Sequence, residues 1–261
     1  MILPVQFVKA HACGNDFLII DGGYAPADIS DFSRRICDRH CGVGADGVEW
    51  LFPDNEADIH ARLYNADGTL AEISGNGTRC VAAHLATELK KEEIVIRTDA
   101  GVKTCTLTAR SGSRFEFETA MGEPQVKDEL SINAVSGQVR GVPVSMGNPH
   151  FVVFVPEFNP HWQAEGAEIG SYQDFKEGMN VEFVKVRDKQ NIEVRFFERG
   201  VGETQSSGTG SCASAVAAIA TKKTASSVRV HAPGGMQIVR WEKEVFLRGP
   251  AEIICRGDYF A

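Results

Sequence analysis

Two glycine-spaced turns, 133 positions apart, constrain the fold of this chain more than any other feature. The first is Glu72-Ile73-Ser74-Gly75-Asn76-Gly77-Thr78 and the second is Gln205-Ser206-Ser207-Gly208-Thr209-Gly210-Ser211. Each runs into small apolar residues, Cys80 to Thr87 and Cys212 to Ala220. The second, apolar all round, reads as a helix buried on every side, and Val81, Leu85 and Leu89 give the first an apolar stripe. The same spacing relates Gly14-Asn15 to Gly147-Asn148, Val48-Glu49-Trp50 to Val181-Glu182-Phe183, Arg62-Leu63-Tyr64 to Arg195-Phe196-Phe197, and Gly101 to Gly234. A fixed offset over most of both halves signals an internal duplication. With one long period the product is two similar lobes, not a solenoid. A pseudo-twofold axis relating the lobes would bring the two Ser-Gly-x-Gly turns together at a cleft.

Each turn would present the unpaired N–H groups of a helix's first residues. Those donors and the helix dipole favour a carboxylate or phosphate. A glycine-rich loop before a helix is common on its own, so the repetition carries the weight. The 261 residues suit two domains of ordinary size, each with its own core. With 43% apolar and 24% charged residues, the composition is that of a soluble globular protein. A net charge of −8 argues against a nucleic-acid partner and against an anionic membrane surface. No apolar run approaches a membrane span. The segment Met1-Ile-Leu-Pro-Val-Gln-Phe7 lacks the basic region and apolar core of a signal peptide. Seven cysteines, an odd number, then predict reduced thiols and a cytoplasmic setting.

Along the chain, strands are predicted at Val5 to Ala10, Phe17 to Asp21, Ile59 to Tyr64, Ile94 to Thr98, Val102 to Ala109 and Arg114 to Glu118. Ser30 is a plausible N-cap for a helix through Asp38. The second half repeats this plan with strands at Phe151 to Val155, Asn180 to Val186, Ile192 to Phe197 and Val228 to His231, and with helix within Phe158 to Ile169. A hairpin of Met236 to Trp241 with Val245 to Leu247 and a strand at Ile253 to Cys255 close it. Cys37-Asp-Arg-His40-Cys41 offers two thiolates and an imidazole but no fourth ligand nearby, so no metal is expected there. The expected division is an N-terminal lobe of residues 1–120, to which 252–261 return, and a C-terminal lobe of 121–251.

Six motifs carry a resemblance. His11-Ala-Cys-Gly-Asn-Asp-Phe17, Asp38-Arg-His-Cys-Gly-Val-Gly44, Tyr64-Asn-Ala-Asp-Gly68, Ser74-Gly-Asn-Gly-Thr-Arg79, Gly147-Asn-Pro-His150 and Glu198-Arg-Gly-Val-Gly-Glu-Thr-Gln205 together resemble the diaminopimelate epimerase family, in order and over nearly the whole chain. The resemblance implies a duplicated α+β fold, each lobe a β-sheet wrapped around a central helix. It implies an active site in the cleft, no cofactor or metal, and commonly a homodimer. The family interconverts LL- and meso-diaminopimelate, a small amino-acid substrate, in lysine and cell-wall biosynthesis.

Inverting a carbon needs a base on one face and an acid on the other, and a duplicated fold supplies two related positions. In the family these are cysteines, one leading each glycine loop; here they are Ser74 and Ser207. A thiol near pKa 8.5 serves as thiol or thiolate, whereas a serine hydroxyl needs an adjacent base. Cys80 and Cys212 lie inside the helices and out of register with each other, which points to packing. Asn15, Asn65, Asn148 and Asn180 resemble family residues that hold the substrate's amino and carboxylate groups. Glu198 and Arg199 resemble the pair that reads its distal end, where a guanidinium fork binds a carboxylate bidentately. Gly75, Asn76, Gly208 and Thr209 would offer N–H groups to the reacting carboxylate. Gly47 stands where the family usually places a glutamine. Three readings follow: a diaminopimelate-type epimerase altered by its serine pair, a same-fold isomerase with a carboxylate base such as Glu72 or Glu203, or a non-catalytic amino-acid binder.

Overall fold

Alternating side-chain burial lays down strands along most of the chain, and the small-residue runs interrupt them as helices. The computed structural model describes residues 4–134, 137–176 and 178–260; the Met1 to Leu3 part of the N-terminal reading lies outside them. The chain forms two compact units, one running through Thr119 and resuming at Gly249, the other Ala120–Arg248. The first unit carries β1 (Val5–Ala12), β2 (Asn15–Asp21), α1 (Ile29–Ile36), β3 (Gly47–Phe52), β4 (Ile59–Asn65), β5 (Leu70–Ala71), α2 (Gly75–Leu89), β6 (Glu93–Thr98), β7 (Gly101–Ser111) and most of β8 (Arg114–Gly122). The second carries β9 (Gln125–Val126), β10 (Leu130–Ala134), β11 (Gly137–Ser145), β12 (Pro149–Phe154), α3 (Trp162–Gly170), β13 (Asn180–Val186), β14 (Asn191–Glu198), β15 (Gly202–Thr204), α4 (Gly208–Ala220), β16 (Val228–Ala232) and β17 (Gly235–Trp241). One long strand, β18 (Val245–Tyr259), replaces the two short strands expected at its ends.

The strand registers of the two units repeat at the offset seen in the sequence. Parallel β2 and β3 pair Phe17 with Gly47, and parallel β12 and β13 pair His150 with Asn180. Antiparallel β3 and β4 pair Val48 with Tyr64; β13 and β14 pair Val181 with Phe197. Leu63 faces Ala71 as Phe196 faces Thr204. After the helices the spacing grows by one. The β6–β7 turn pairs Thr98 with Gly101, and the β16–β17 turn pairs Ala232 with Gly235. Gly101 (φ 95°) therefore corresponds to Gly235 (φ 150°), one position beyond the expected Gly234.

Strands buried on both faces explain the layers. In β2, Phe17 and Ile19 point inward to α2, packing with Val81, Leu85, Ile94, Ile96 and Phe117. Leu18 and Ile20 point outward to α1, packing with Phe32, Ile36 and Trp50. The first unit's strands close a ring, β1-β2-β3-β4-β6-β7-β8-β18 and back to β1, with α2 in its core. In the second unit α4 packs against Val142, Val152, Val194 and Phe196, while α3 covers the opposite face through Trp162 and Ile169 against Phe151 and Phe183. Every residue from Gly210 to Ala218 is buried, which only small side chains allow inside so tight a sheet. The N-cap of α1 is Asp28, accepting from the Asp31 amide at 2.9 Å, and not Ser30, whose hydroxyl donates instead to the Gly68 carbonyl at 2.6 Å.

Candidate functional site

Ser74 and Ser207 are the N-caps of α2 and α4. Both have extended backbones, and each Oγ accepts from the amide three residues on, Gly77 or Gly210, at 3.1 Å. Serine is favoured at such a position because its oxygen satisfies one of the helix's orphan donors. The amides of Gly75 and Asn76, and of Gly208 and Thr209, occupy the remaining first-turn positions, where the helix's positive end gathers. The second glycine of each turn is set by what lies beneath it. A Cβ on Gly77 would fall 2.0 Å from Glu49 Oε1, and one on Gly210 would fall 2.9 Å from Glu182 Oε1.

In the second unit the cap is wired on two sides. Ser207 Oγ donates to Glu198 Oε1 at 2.8 Å, from the end of β14. Asn148 Nδ2 donates to Thr209 Oγ1 at 3.3 Å, Asn148 Oδ1 meets His150 Nε2 at 3.0 Å, and His150 Nδ1 meets Glu182 Oε1 at 2.7 Å. His150 and Glu182 are wholly buried. Burial pushes the Glu182 carboxyl above its ordinary range, against the pull of His150. Asn180, also buried, donates to the Pro149 carbonyl at 3.0 Å and accepts from the Arg199 amide at 2.9 Å, tying the start of β12 to the end of β14. Arg199 itself is exposed, with its side-chain stem against Gly178.

In the first unit Asn76 Nδ2 donates to Asn15 Oδ1 at 3.4 Å, and Asn15 Nδ2 donates to Asp46 Oδ2 at 2.6 Å. The buried Arg79 guanidinium holds Asn76 Oδ1 and the Pro250 carbonyl. Asn65 ends β4 and donates to Thr69 Oγ1 at 3.0 Å within its own turn. The structure thus groups Asn15, Ser74, Gly75 and Asn76 on one helix cap, and Asn148, Glu198, Ser207, Gly208 and Thr209 on the other. Asn65 and Arg199 stand in exposed turns at the strand ends beside them.

The carboxyl groups against the caps are Glu198 and Glu182 in the second unit and Glu49 in the first; Glu203 and Glu72, the bases offered by the alternative isomerase reading, lie exposed. Glu203 is exposed and accepts from Gln163 Nε2 at 3.1 Å. Glu72 is exposed, and among the described residues none is bonded to its side chain. Cys80 and Cys212 are fully buried, and burial drives the Cys80 thiol far above its ordinary range. Cys37 is buried and pushed up to about 12. Among the described residues, no group of three or more His, Cys, Asp or Glu side chains is arranged to hold a metal.

Sequence comparison identifies the scaffold. A family model described as diaminopimelate epimerase matches residues 7–127 and 142–254. A protein of Pelotomaculum thermopropionicum named diaminopimelate epimerase is 37% identical, spanning 98% of this chain and 99% of its own length. Its namesake from Caldanaerobacter subterraneus subsp. tengcongensis is 36% identical, spanning 97% and 99%. The chain belongs to the diaminopimelate epimerase family. At the level of fold, a phenazine biosynthesis protein of the PhzF family from Bacillus anthracis superposes with a TM-score of 0.74 at 15% identity, over 99% of each chain. A hydroxyproline epimerase from Agrobacterium vitis, solved with bound trans-4-OH-L-proline, superposes with a TM-score of 0.73 at 17% identity, over 98% of this chain and 92% of that one.

In this diaminopimelate epimerase family chain, the positions that the resemblance assigns to cysteine are serine caps. Reading the sequence for motifs gave no role to Glu49, His150 or Glu182. The signal was there: a glutamate recurs at the same offset inside an otherwise apolar strand, flanked by Val and an aromatic residue each time. A charge at a core position of two related strands marks a buried carboxyl that needs an explanation.

Proposed function

We propose that the protein is a cofactor-independent epimerase that inverts the α-carbon of diaminopimelate by taking a proton on one face and returning one on the other. One observation carries the reading through the serine departure: the hydroxyl of Ser207 already donates to Glu198 at 2.8 Å. A serine does proton chemistry only beside a base, and this one has a carboxyl partner. As Ser207 Oγ takes the α-proton, its own proton passes to Glu198; Ser74, heading the sister helix, is the second proton-transfer group. The first-turn amides of Gly75, Asn76, Gly208 and Thr209 stabilise the charge that builds on the substrate carboxylate. Asn15 and Asn148, each held against the second residue of a cap turn, orient its amino group. Asn65 and Asn180 shape the ends of the strands behind them, and the exposed guanidinium of Arg199 receives the distal carboxylate.

We infer a homodimer and a cytoplasmic setting on the same reading. The seven cysteines, none in a disulfide, support the second. The test is incubation with LL-diaminopimelate and chiral separation of the product. Conversion to the meso form supports the proposal; a protein that binds the amino acid and leaves it unchanged is a binder and not an epimerase.

A further inference from the structure

We propose that Glu49 is the proton store behind Ser74, serving the first unit's cap as Glu198 serves the second; this rests on the epimerase reading above. The duplication poses the problem. Glu198 ends β14, and the corresponding end of β4 is Asn65, which is bonded to Thr69. The first cap therefore has no carboxyl from that direction. It has one from below.

Glu49 sits on β3 between Ile19 of β2 and Leu63 of β4, with its side chain against α2. A single point, the place of a Cβ on Gly77, lies 2.0 Å from Glu49 Oε1 and 3.3 Å from Ser74 Cβ. Carboxyl and cap side chain thus share one bare face of the helix, with no side chain of residue 77 between them. Glu49 is 3% exposed, and among the described residues no group donates to it. Its twin Glu182 is held by His150, but β2 places Phe17 where β12 places His150. Buried carboxyls that serve only packing find partners; this one is left with its face to the cap.

Burial pushes Glu49 up to about 8, so at neutral pH it is a proton donor. The titratable group facing it from α2 is Cys80, whose thiol is raised chiefly by burial and also by the charge on Glu49; Arg79 opposes that rise, and Cys13 and Asp16 add to it. The strands on either side present Ile19 and Leu63. The step balances. Ser74 gives its hydroxyl proton to the substrate carbanion and forms the new C–H bond. Glu49 replaces that proton, directly or through one water, and is left ionised, while Glu198 holds the proton taken from the substrate. The reverse reaction runs the two roles backwards, and exchange with solvent resets both groups.

The experiment replaces the serine by a reporter. In Ser74→Cys, alkylation of residue 74 by iodoacetamide is followed against pH by mass spectrometry of its own peptide, since Cys41 and Cys255 are also exposed. An ionising Glu49 opposes thiolate formation beside it. Ser74→Cys with Glu49→Gln is therefore expected to alkylate about tenfold faster near pH 8, its midpoint moved down by about one unit. Superimposable profiles would overturn the proposal and leave Glu49 a core residue. A second arm reads turnover of diaminopimelate. Glu49→Gln is expected to lower kcat at least tenfold with KM unchanged and to remove a limb of the pH profile near 8, with partial rescue by Glu49→Asp. Unchanged kcat and an unchanged limb would also overturn it. If the unsubstituted protein epimerises nothing, the epimerase reading fails, and the alkylation arm alone still decides whether Glu49 and residue 74 are coupled.

Discussion

The two helix caps are built on one plan and wired differently. Ser207 gives its hydroxyl to Glu198, and the buried carboxyl beneath it, Glu182, is occupied by His150. In the first unit Asn65 takes the position of Glu198 and Phe17 that of His150, so the buried carboxyl there, Glu49, stays unclaimed. The two units share strand registers, serine caps and cap glycines, while the ionisable groups around the caps differ. The lesson is that a symmetric scaffold can hold an asymmetric acid–base pair. Glu49, the proposed donor, and Glu198, the proposed acceptor, occupy positions that the offset does not relate, since their counterparts are Glu182 and Asn65.

Four changes test how deep that difference runs. The largest effect is expected from restoring thiols. Ser74→Cys with Ser207→Cys should raise α-hydrogen exchange in D₂O by on the order of a hundredfold or more, and each single change by much less, because donor and acceptor act as a unit. Proton NMR of the substrate reads it; additive single effects would separate the caps.

Next come the buried carboxyls, with opposite signs. His150→Ala strands Glu182 without its partner and should cost about 3–5 kcal/mol in urea unfolding. Glu49→Gln should stabilise instead. The folded value of Glu49 stands near 8 against an ordinary 4.5, so the folded state keeps a proton that the unfolded chain has lost. Stability contributed by the group is whole below pH 4.5 and is lost as pH rises toward 8. The gain from Glu49→Gln should therefore be near zero at pH 4.5 and about 3 kcal/mol at pH 7. A gain independent of pH would mean that Glu49 is not buried as a neutral acid.

The smallest effect is expected at Arg199. Its exposure limits the loss in diaminopimelate binding on Arg199→Ala to about 1 kcal/mol. Calorimetry against a monocarboxylic amino acid should show no loss at all.

Much of this was legible before any coordinates. The offset between Ser74 and Ser207 predicted two like halves, and the small-residue runs predicted their central helices, because backbone periodicity and side-chain size are local properties. The offset failed by one residue at Gly101, where the return from the second helix is longer than that from the first. Wiring was not legible. Nothing local tells that Ser207 reaches Glu198, nine residues back across a hairpin, while Glu203, closer in sequence, points to Gln163 on α3. Ser30 looked like a cap and was drawn off by Gly68, a contact 38 residues away that no local rule foresees.

That hairpin offers the most direct test of whether capped serines with carboxyl partners carry the chemistry. Deuterium uptake at the α-carbon of diaminopimelate should be measured for the unsubstituted protein, Glu198→Gln and Glu203→Gln, each at saturating substrate. The account predicts uptake by the unsubstituted protein and by Glu203→Gln at similar rates, and a loss of at least a hundredfold in Glu198→Gln, where Ser207 has lost its proton acceptor. Equal rates in the two variants, or loss in Glu203→Gln alone, would contradict it.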